Sequence, residues 1–579
     1  MASLGTSAGA AEKWVRLEAE GVTVYSEVSA ANATEFLINY VGFRHTFQSV
    51  LGRDNQPLGP VHIVLYRKRA SLGKITGESP DVTMVTVALT AMLDGDVVLG
   101  LSEDGDRTKA LRAILEFDTI CSLKRQGYFL PLWMEQGSGE VLSTLEMEKD
   151  SCVMGPSIDW MIGALGNEKW IPWERFSRIQ TTSADYTIPE SFRIYAAQSW
   201  ALMRTVLLRD PAKARERFRA LVNEVHRNPL ANSAVAKILQ VGPQAVPSEM
   251  NRTMRQGGRL VVPFDRALAR SKITRADAPP VEVAVAVASL TLIHGSVAAE
   301  DGALQRAIEL APDSPLVLEA MARRELKYGD KSKAAEYYRS AIAAGTTNPQ
   351  AFYRSAERRL DDAMGSGRDQ PGQGGTPVAD ALGEIRQAMK LNPGDGQAYV
   401  LLGRALFASE NLTDDDRAEL KPGFDSPEDG PSVRYYDALL QLRLDHYDEA
   451  VASLRLLLRN DAVKAERRQS FLREFAAQNF GLVKDRIEPL VHAHDFESAR
   501  ALLNQRLDPT EWNVIAEAAK NLRKWVEVNA ALDEMDQLEA GGHKKELRKA
   551  QQALVKDYPD EPVASRVQGA LDAETGGGN

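Results

Sequence analysis

Between Leu115 and Glu140 the chain carries four carboxylates, Glu116, Asp118, Glu135 and Glu140. Two carboxyls that flank one bond can serve as acid and base on a glycoside. Acids on two helices are otherwise solvated faces or satisfied side chains. The same stretch has no imidazole: of the eight histidines none lies between His62 and His226. His492-Ala493-His494, beside Asp495, has metal-ligand residue types and reads first as surface histidines. Gln256-Gly257-Gly258-Arg259 is glycine-rich and basic but lacks the Gly-x-x-x-x-Gly-Lys-Ser/Thr frame of a phosphate loop, and reads as a turn.

The elements that position these residues follow from periodicity. Ala110–Ser143 reads as a helix, a loop carrying Pro131, and a second helix opening near Trp133. Before it, Val22–Ser26 alternates like a strand, and Ala30–Leu51 has helical spacing with Phe36, Leu37, Tyr40, Val41, Phe43 and Phe47 on one broad face. Val61–Tyr66 is an apolar run suited to a buried strand; Asp81–Leu89 and Asp96–Leu101 add two more, with Asp94-Gly95 as a hairpin signal. After it come expected helices at Ser157–Leu165, Trp173–Thr181, Phe192–Arg209, Pro211–Val225 and Ala231–Gln240. The aromatics Trp160, Trp170, Trp173, Phe176, Tyr195 and Trp200 read as core, or as walls of a cleft.

The segment Leu130-Pro131-Leu132-Trp133-Met134-Glu135-Gln136-Gly137-Ser138-Gly139-Glu140, followed by Tyr195-Ala196-Ala197-Gln198-Ser199-Trp200, resembles the gluzincin-type (peptidase MA-like) zinc peptidases that precede tetratricopeptide repeats in many bacterial proteins. The resemblance covers roughly 13–270. It implies a first helix with H-E-x-x-H and a glutamate on the second helix. On this chain the motif falls on Leu115-Glu116-Phe117-Asp118-Thr119, and the third ligand position on Gln136. Zinc needs two imidazoles on one helix face and a third donor, leaving a site for water. Leucine has no lone pair, and threonine and a neutral glutamine are poor ligands. Without the metal, water keeps a pKa near 15.7 instead of about 7. Glu116 is then a remnant base. The resemblance implies a degenerate zinc motif with no metal and no cofactor, a pseudopeptidase. Trp133, Glu140 and Tyr195 remain as cleft candidates.

From Val281 small and large residues recur. Leu318, Ala322, Gly329, Ala334, Tyr338 and Ala341 are similar to a tetratricopeptide repeat of about 34 residues, with further units at Ala381–Pro393 and Tyr447–Leu457. The expected fold class is an α+β N-terminal gluzincin-like domain followed by an all-α tetratricopeptide-repeat solenoid. The divisions are an α/β leader at 13–105, a helical peptidase-like core at 106–270, repeats at 281–460, weaker repeats and capping helices at 461–571, and a disordered tail at 572–579. Gly365–Pro377 and Asn411–Pro431 read as insertions without regular structure.

The chain has 579 residues, 26% charged, with a net charge of −10, which argues against a general nucleic-acid surface. No apolar run is long enough to span a membrane. Cys121 and Cys152 read as buried thiols, since two cysteines make no framework. The expected function is a non-catalytic protein-binding or scaffold protein that takes a protein or peptide on the repeat surface. Arg323, Lys327, Tyr353 and Arg404 are candidate contacts. The alternatives are a hydrolase or peptidase with an atypical site, or a structural subunit of a larger complex. Location is extracytoplasmic by resemblance if a signal peptide has been removed, otherwise cytoplasmic.

Overall fold

The structure is a computed structural model that describes residues 14–54, 58–76, 88–93, 96–104, 107–126, 128, 130–225, 230–256, 258–295, 297–364, 375–426, 429–459, 463, 465–507 and 513–576. Its contacts divide the chain into two units. One takes 1–368, 374–405 and 425–430; the other takes 369–373, 406–424 and 431–579. The division falls inside the segment assigned above to repeats, 281–460, and not at 460. The molecule is mostly helical, with a small mixed sheet near the N-terminus and a helical region after it. Among the described residues no helix is long and apolar enough to cross a membrane.

The first unit holds strands β1 (Val15–Ala19), β2 (Val22–Ser26), β3 (Val61–Tyr66), β4 (Ala88–Leu93), β5 (Asp96–Ser102), β6 (Glu146–Met147), β7 (Ser151–Met154), β8 (Leu260–Pro263) and β9 (Thr274–Asp277). Among its described residues the α-helices up to His294 are α1 (Ala30–Val50), α2 (Arg69–Thr76), α3 (Arg107–Arg125), α4 (Leu132–Leu142), α5 (Asp159–Asn167), α6 (Trp173–Phe176), α7 (Ala184–Thr187), α8 (Pro189–Leu208), α9 (Ala214–Val225), α10 (Ala231–Leu239), α11 (Val246–Gln256), α12 (Arg266–Ser271) and α13 (Pro280–His294).

Six strands form one sheet in the order β4-β5-β3-β2-β1-β9. β3 runs parallel to both β2 and β5, while β1, β9 and β4 are antiparallel to their neighbours. β1 turns into β2 at Glu20-Gly21, both at positive φ (49° and 76°), as a two-residue hairpin of this hand requires. β3 is buried on both sides, which explains its mostly apolar run, interrupted at His62. Val61, Ile63 and Leu65 join the core under α1, and Val64 and Tyr66 join a second core with Leu72, Ile75, Val283 and Leu290. Ser29 caps α1 by accepting from the Asn32 amide.

Several expectations change. The strand expected at Asp81–Leu89 is described only from Ala88, and continues to Leu93. Residues 77–87 and the hairpin signal expected at Asp94-Gly95 lie outside the described residues, while Leu93 pairs with Asp96. The leader sheet does not end at 105. β9 closes it against β1, and α13, assigned above to the first repeat, packs on its second face. The helix expected at Trp173–Thr181 stops at Phe176. A three-stranded sheet, β6-β7-β8, lies within the segment expected to be helical.

Beyond α13 come α14 (Val297–Leu310), α15 (Pro315–Tyr328), α16 (Lys331–Ala343), α17 (Pro349–Met364), α18 (Gly375–Leu391) and α19 (Gly396–Ala408), inside which the division falls. From α14 to α18 each helix packs on the next, with Ala322, Tyr338 and Ala351 in one buried cluster. Residues 365–374 of the expected Gly365–Pro377 insertion lie outside the described residues.

The second unit contains α20 (Asp414–Ala418), α21 (Gly430–Arg443), α22 (Tyr447–Leu458), α23 (Ala465–His492), α24 (Phe496–Arg506), α25 (Ala516–Ala540), α26 (Lys544–Asp557) and α27 (Pro562–Gly576). α20 falls within the connection expected to be irregular, where Thr413 and Asp416 form a capping box. α27 carries regular structure to Gly576, into the tail expected at 572–579. Val483, Ile487, Leu503 and Val526 form a core between α23, α24 and α25.

Candidate functional site

The α3–α4 pair is held by glycine. α4 is buried from Trp133 to Leu142 and lies between α3 and α8. A Cβ on Gly137 would stand 2.3 Å from the Ser199 carbonyl oxygen of α8. One on Gly139 would stand 2.9 Å from Glu116 Cγ of α3. Gly-Ser-Gly therefore lets one helix approach two neighbours at once.

This approach builds a small polar cluster. Gln136 Nε2 donates to Glu116 Oε1 at 2.7 Å and to Glu140 Oε1 at 3.3 Å. Arg112 Nη2 stands 3.6 Å from Glu140 Oε2. Burial raises the Glu116 carboxyl above the usual range, against the pull of the Gln136 hydrogen bond and the Arg112 charge. Glu140 is pushed up to about 8, first by burial and then by the charge on Glu116. The other two acids go elsewhere. Asp118 is fully buried and accepts from Tyr40 Oη at 2.7 Å and Ser122 Oγ at 3.2 Å, tying α3 to α1. Glu135 faces Lys124 at 3.5 Å.

Both groups have folded pKa values above the unfolded value of about 4.3, so the folded state holds the extra protons. The contribution of Glu116 and Glu140 to stability should therefore be fullest below about pH 4.3, fall as pH rises towards about 8, and level off above. Glu140→Gln should flatten that fall and exceed the wild type by about 1–3 kcal/mol at pH 8.5. Urea unfolding at a series of pH values reads this; parallel wild-type and variant curves would refute it.

The positions expected to be degenerate ligands are now placed. Leu115 is buried in the core and borders a pocket. Thr119 is buried, and its hydroxyl donates to the Leu115 carbonyl at 2.7 Å. Gln136 meets Glu116 directly. Among the described residues no three His, Cys, Asp or Glu side chains are grouped so as to hold a metal ion. His494 pairs with Asp533 at 2.5 Å.

Other candidates move. Trp133 and Tyr195, expected on a cleft, are 1% and 0% exposed and pack around Phe176 at ring distances of 6.3 and 5.3 Å. They are core, and only Glu140 of the three stays beside the cluster. Arg323 and Tyr353, expected as surface contacts, are buried. Arg323 pairs with Glu319 at 3.3 Å and Asp96 at 3.6 Å, and carboxylates this close hold it inside. Lys327 Nζ donates to the Leu292 carbonyl, and Arg404 pairs with Asp361 at 2.9 Å. Arg112 and the β6 edge, which border the same pocket as Leu115, were not among the sequence candidates. Arg112 sits three residues before Leu115 on the same helix face, which is the signal that could have found it. No family model matches the chain, and no curated protein matches it.

Proposed function

We propose that this chain is a non-catalytic binding or scaffold protein, built from a degenerate zinc-peptidase-like domain and tetratricopeptide-like helices. The observation that carries the reading is the Gln136 amide lying between Glu116 and Glu140. A donor stands where the resemblance expects a metal-binding carboxylate. The remnant base is engaged by that amide, and Leu115 and Thr119 add no ligand. The helical region supports the second half of the reading. α15 and α17 open on Pro315 and Pro349, about 34 residues apart, and small buried alanines at the helix contacts accompany Tyr338. Such helices offer an extended surface for a protein or peptide.

A second reading rests on the same pair of acids: a hydrolase with Glu140 as proton donor, since its carboxyl is held near the pH at which it would work. The Gln136 amide between the two acids weighs against it.

The test is elemental analysis of the purified full chain together with peptide and glycoside hydrolysis assays. The expected result is far less than one zinc per chain and no turnover. One zinc per chain, or hydrolysis abolished by Glu116→Gln, overturns the reading.

A further inference from the structure

A pocket of about 560 Å³ is bordered by Arg112, whose guanidinium also stands 3.6 Å from Glu140 of the polar cluster. One wall is a single face of α3, with Leu111, Arg112 and Leu115. The rest of the lining is Asn39 of α1, β6, and the segments Ser143–Leu145 and Pro156–Ile158. Its lining is apolar at Leu111, Leu115, Met147 and Ile158 and polar at Asn39, Thr108, Thr144 and Ser157, with the Arg112 guanidinium on α3 and the exposed carboxylate of Glu146 on β6 as its charged groups.

Two features say what fits there. The first is an open strand edge. Among the described residues, β6 is the outer strand of its sheet and pairs with β7 alone. Beyond β6 the Glu148 amide donates to the Ser151 carbonyl at 2.9 Å. Antiparallel pairs alternate, so Met147, opposite Cys152, falls in the next, non-hydrogen-bonded pair. Its N–H and C=O therefore turn away from β7, and Met147 borders the pocket. The second feature is the charge. The Arg112 side chain is 30% exposed, and its Glu140 partner stands beyond hydrogen-bond distance at 3.6 Å. A guanidinium has five donors and suits a carboxylate in a two-pronged contact. The raised Glu140 carboxyl neutralises it only in part near neutral pH.

The lining beside Thr144 and Pro156 is fixed. Buried Arg204 donates to the Gly155 carbonyl, the Gly155 amide donates to Thr144 Oγ1 at 3.1 Å, and Gly155 has φ +122°, where a side chain would be strained. A fixed wall lowers the ordering cost of binding.

We propose that this pocket takes the free C-terminal end of an extended polypeptide. The peptide backbone adds along β6 at Met147, its last apolar side chain sits among Leu111, Leu115 and Ile158, and its terminal carboxylate engages Arg112. The open strand edge favours a peptide over a simple aliphatic acid, which has no backbone to pair there. This assignment rests on the binding-protein reading above and names the ligand class of one site.

The experiment is fluorescence anisotropy with the full chain and a labelled hexapeptide ending in Val-Leu, as free acid, as C-terminal amide, and with single backbone N-methyl groups. The free acid should bind saturably. Amidation should weaken binding at least tenfold, and so should one N-methyl position. Arg112→Gln should weaken the free acid at least tenfold and leave the amide unchanged. The modified peptides keep the test valid if Arg112→Gln fails to fold. Equal binding of acid and amide, indifference to every N-methyl group, displacement by dodecanoate at equal strength, or no binding of the free acid each overturns the proposal. A zinc-free, inactive chain that ignores these peptides sinks the pocket assignment and leaves the scaffold reading standing. Zinc with turnover sinks that reading itself.

Discussion

Gln136→Glu should destabilise the first unit by about 3–5 kcal/mol at pH 8 and by far less at pH 5. The wild-type amide donates to Glu116 at 2.7 Å and Glu140 at 3.3 Å. A carboxylate of the same size can only accept, so both bonds are lost and a third negative charge enters the cluster. Arg112, 3.6 Å from Glu140, is the cation at hand, and it is already opposed by two acids. Protonation replaces the missing donors, which is why acid should rescue the variant. The raised carboxyls of the wild type already make their own contribution to stability fall between about pH 4.3 and about 8, and a third acid makes that fall steeper. Urea unfolding followed by tryptophan fluorescence at the two pH values measures both effects. A variant as stable as wild type at pH 8, or one damaged equally at pH 5, would show that the amide is not what holds the two acids together.

The neighbourhood of Gln136 was partly legible in the sequence. Glu116 and Gln136 lie on separate helices, and only the resemblance to zinc peptidases set them beside one another; the structure places them in contact. α1 and β3 were legible because a broad apolar helix face and a mostly apolar strand are local signals. What escaped was long-range. Nothing near Thr274–Asp277 announces that it pairs with Val15–Glu18. Nothing near Arg323 announces Asp96, and a charge on a helix face looks solvated until its partner is found. The same holds for Asp118, whose Tyr40 partner comes from α1. Trp133 and Tyr195 failed differently. Large aromatics serve a core and a cleft wall equally well, and only their burial tells the two apart. β6 has two residues and β7 four, too short for alternation to stand out.

Gly137→Ala should cost about 3 kcal/mol or more, although the same exchange in an ordinary helix interior gains up to about 1 kcal/mol. The sign is set by what the new methyl meets. It would stand 2.3 Å from the Ser199 carbonyl oxygen and 2.8 Å from the Ser199 carbonyl carbon, which are backbone atoms and cannot rotate away. α8 is buried from Ile194 to Leu208 and has no room to retreat, and α4 is backed on its other side by α3. The strain should therefore spread to the Glu116 cluster, because moving α4 moves Gln136. Gly163→Ala in α5 is the matched control: nothing lies within 4 Å of its would-be Cβ, so it should be neutral or stabilising. Gly139→Ala should fall between them, since it meets Glu116 Cγ, a side-chain atom, at 2.9 Å and the Glu116 carbonyl oxygen at 3.1 Å. Thermal unfolding of the three variants gives the order. If Gly137→Ala proves no worse than Gly163→Ala, the close crossing of α4 and α8 is not what this glycine is for.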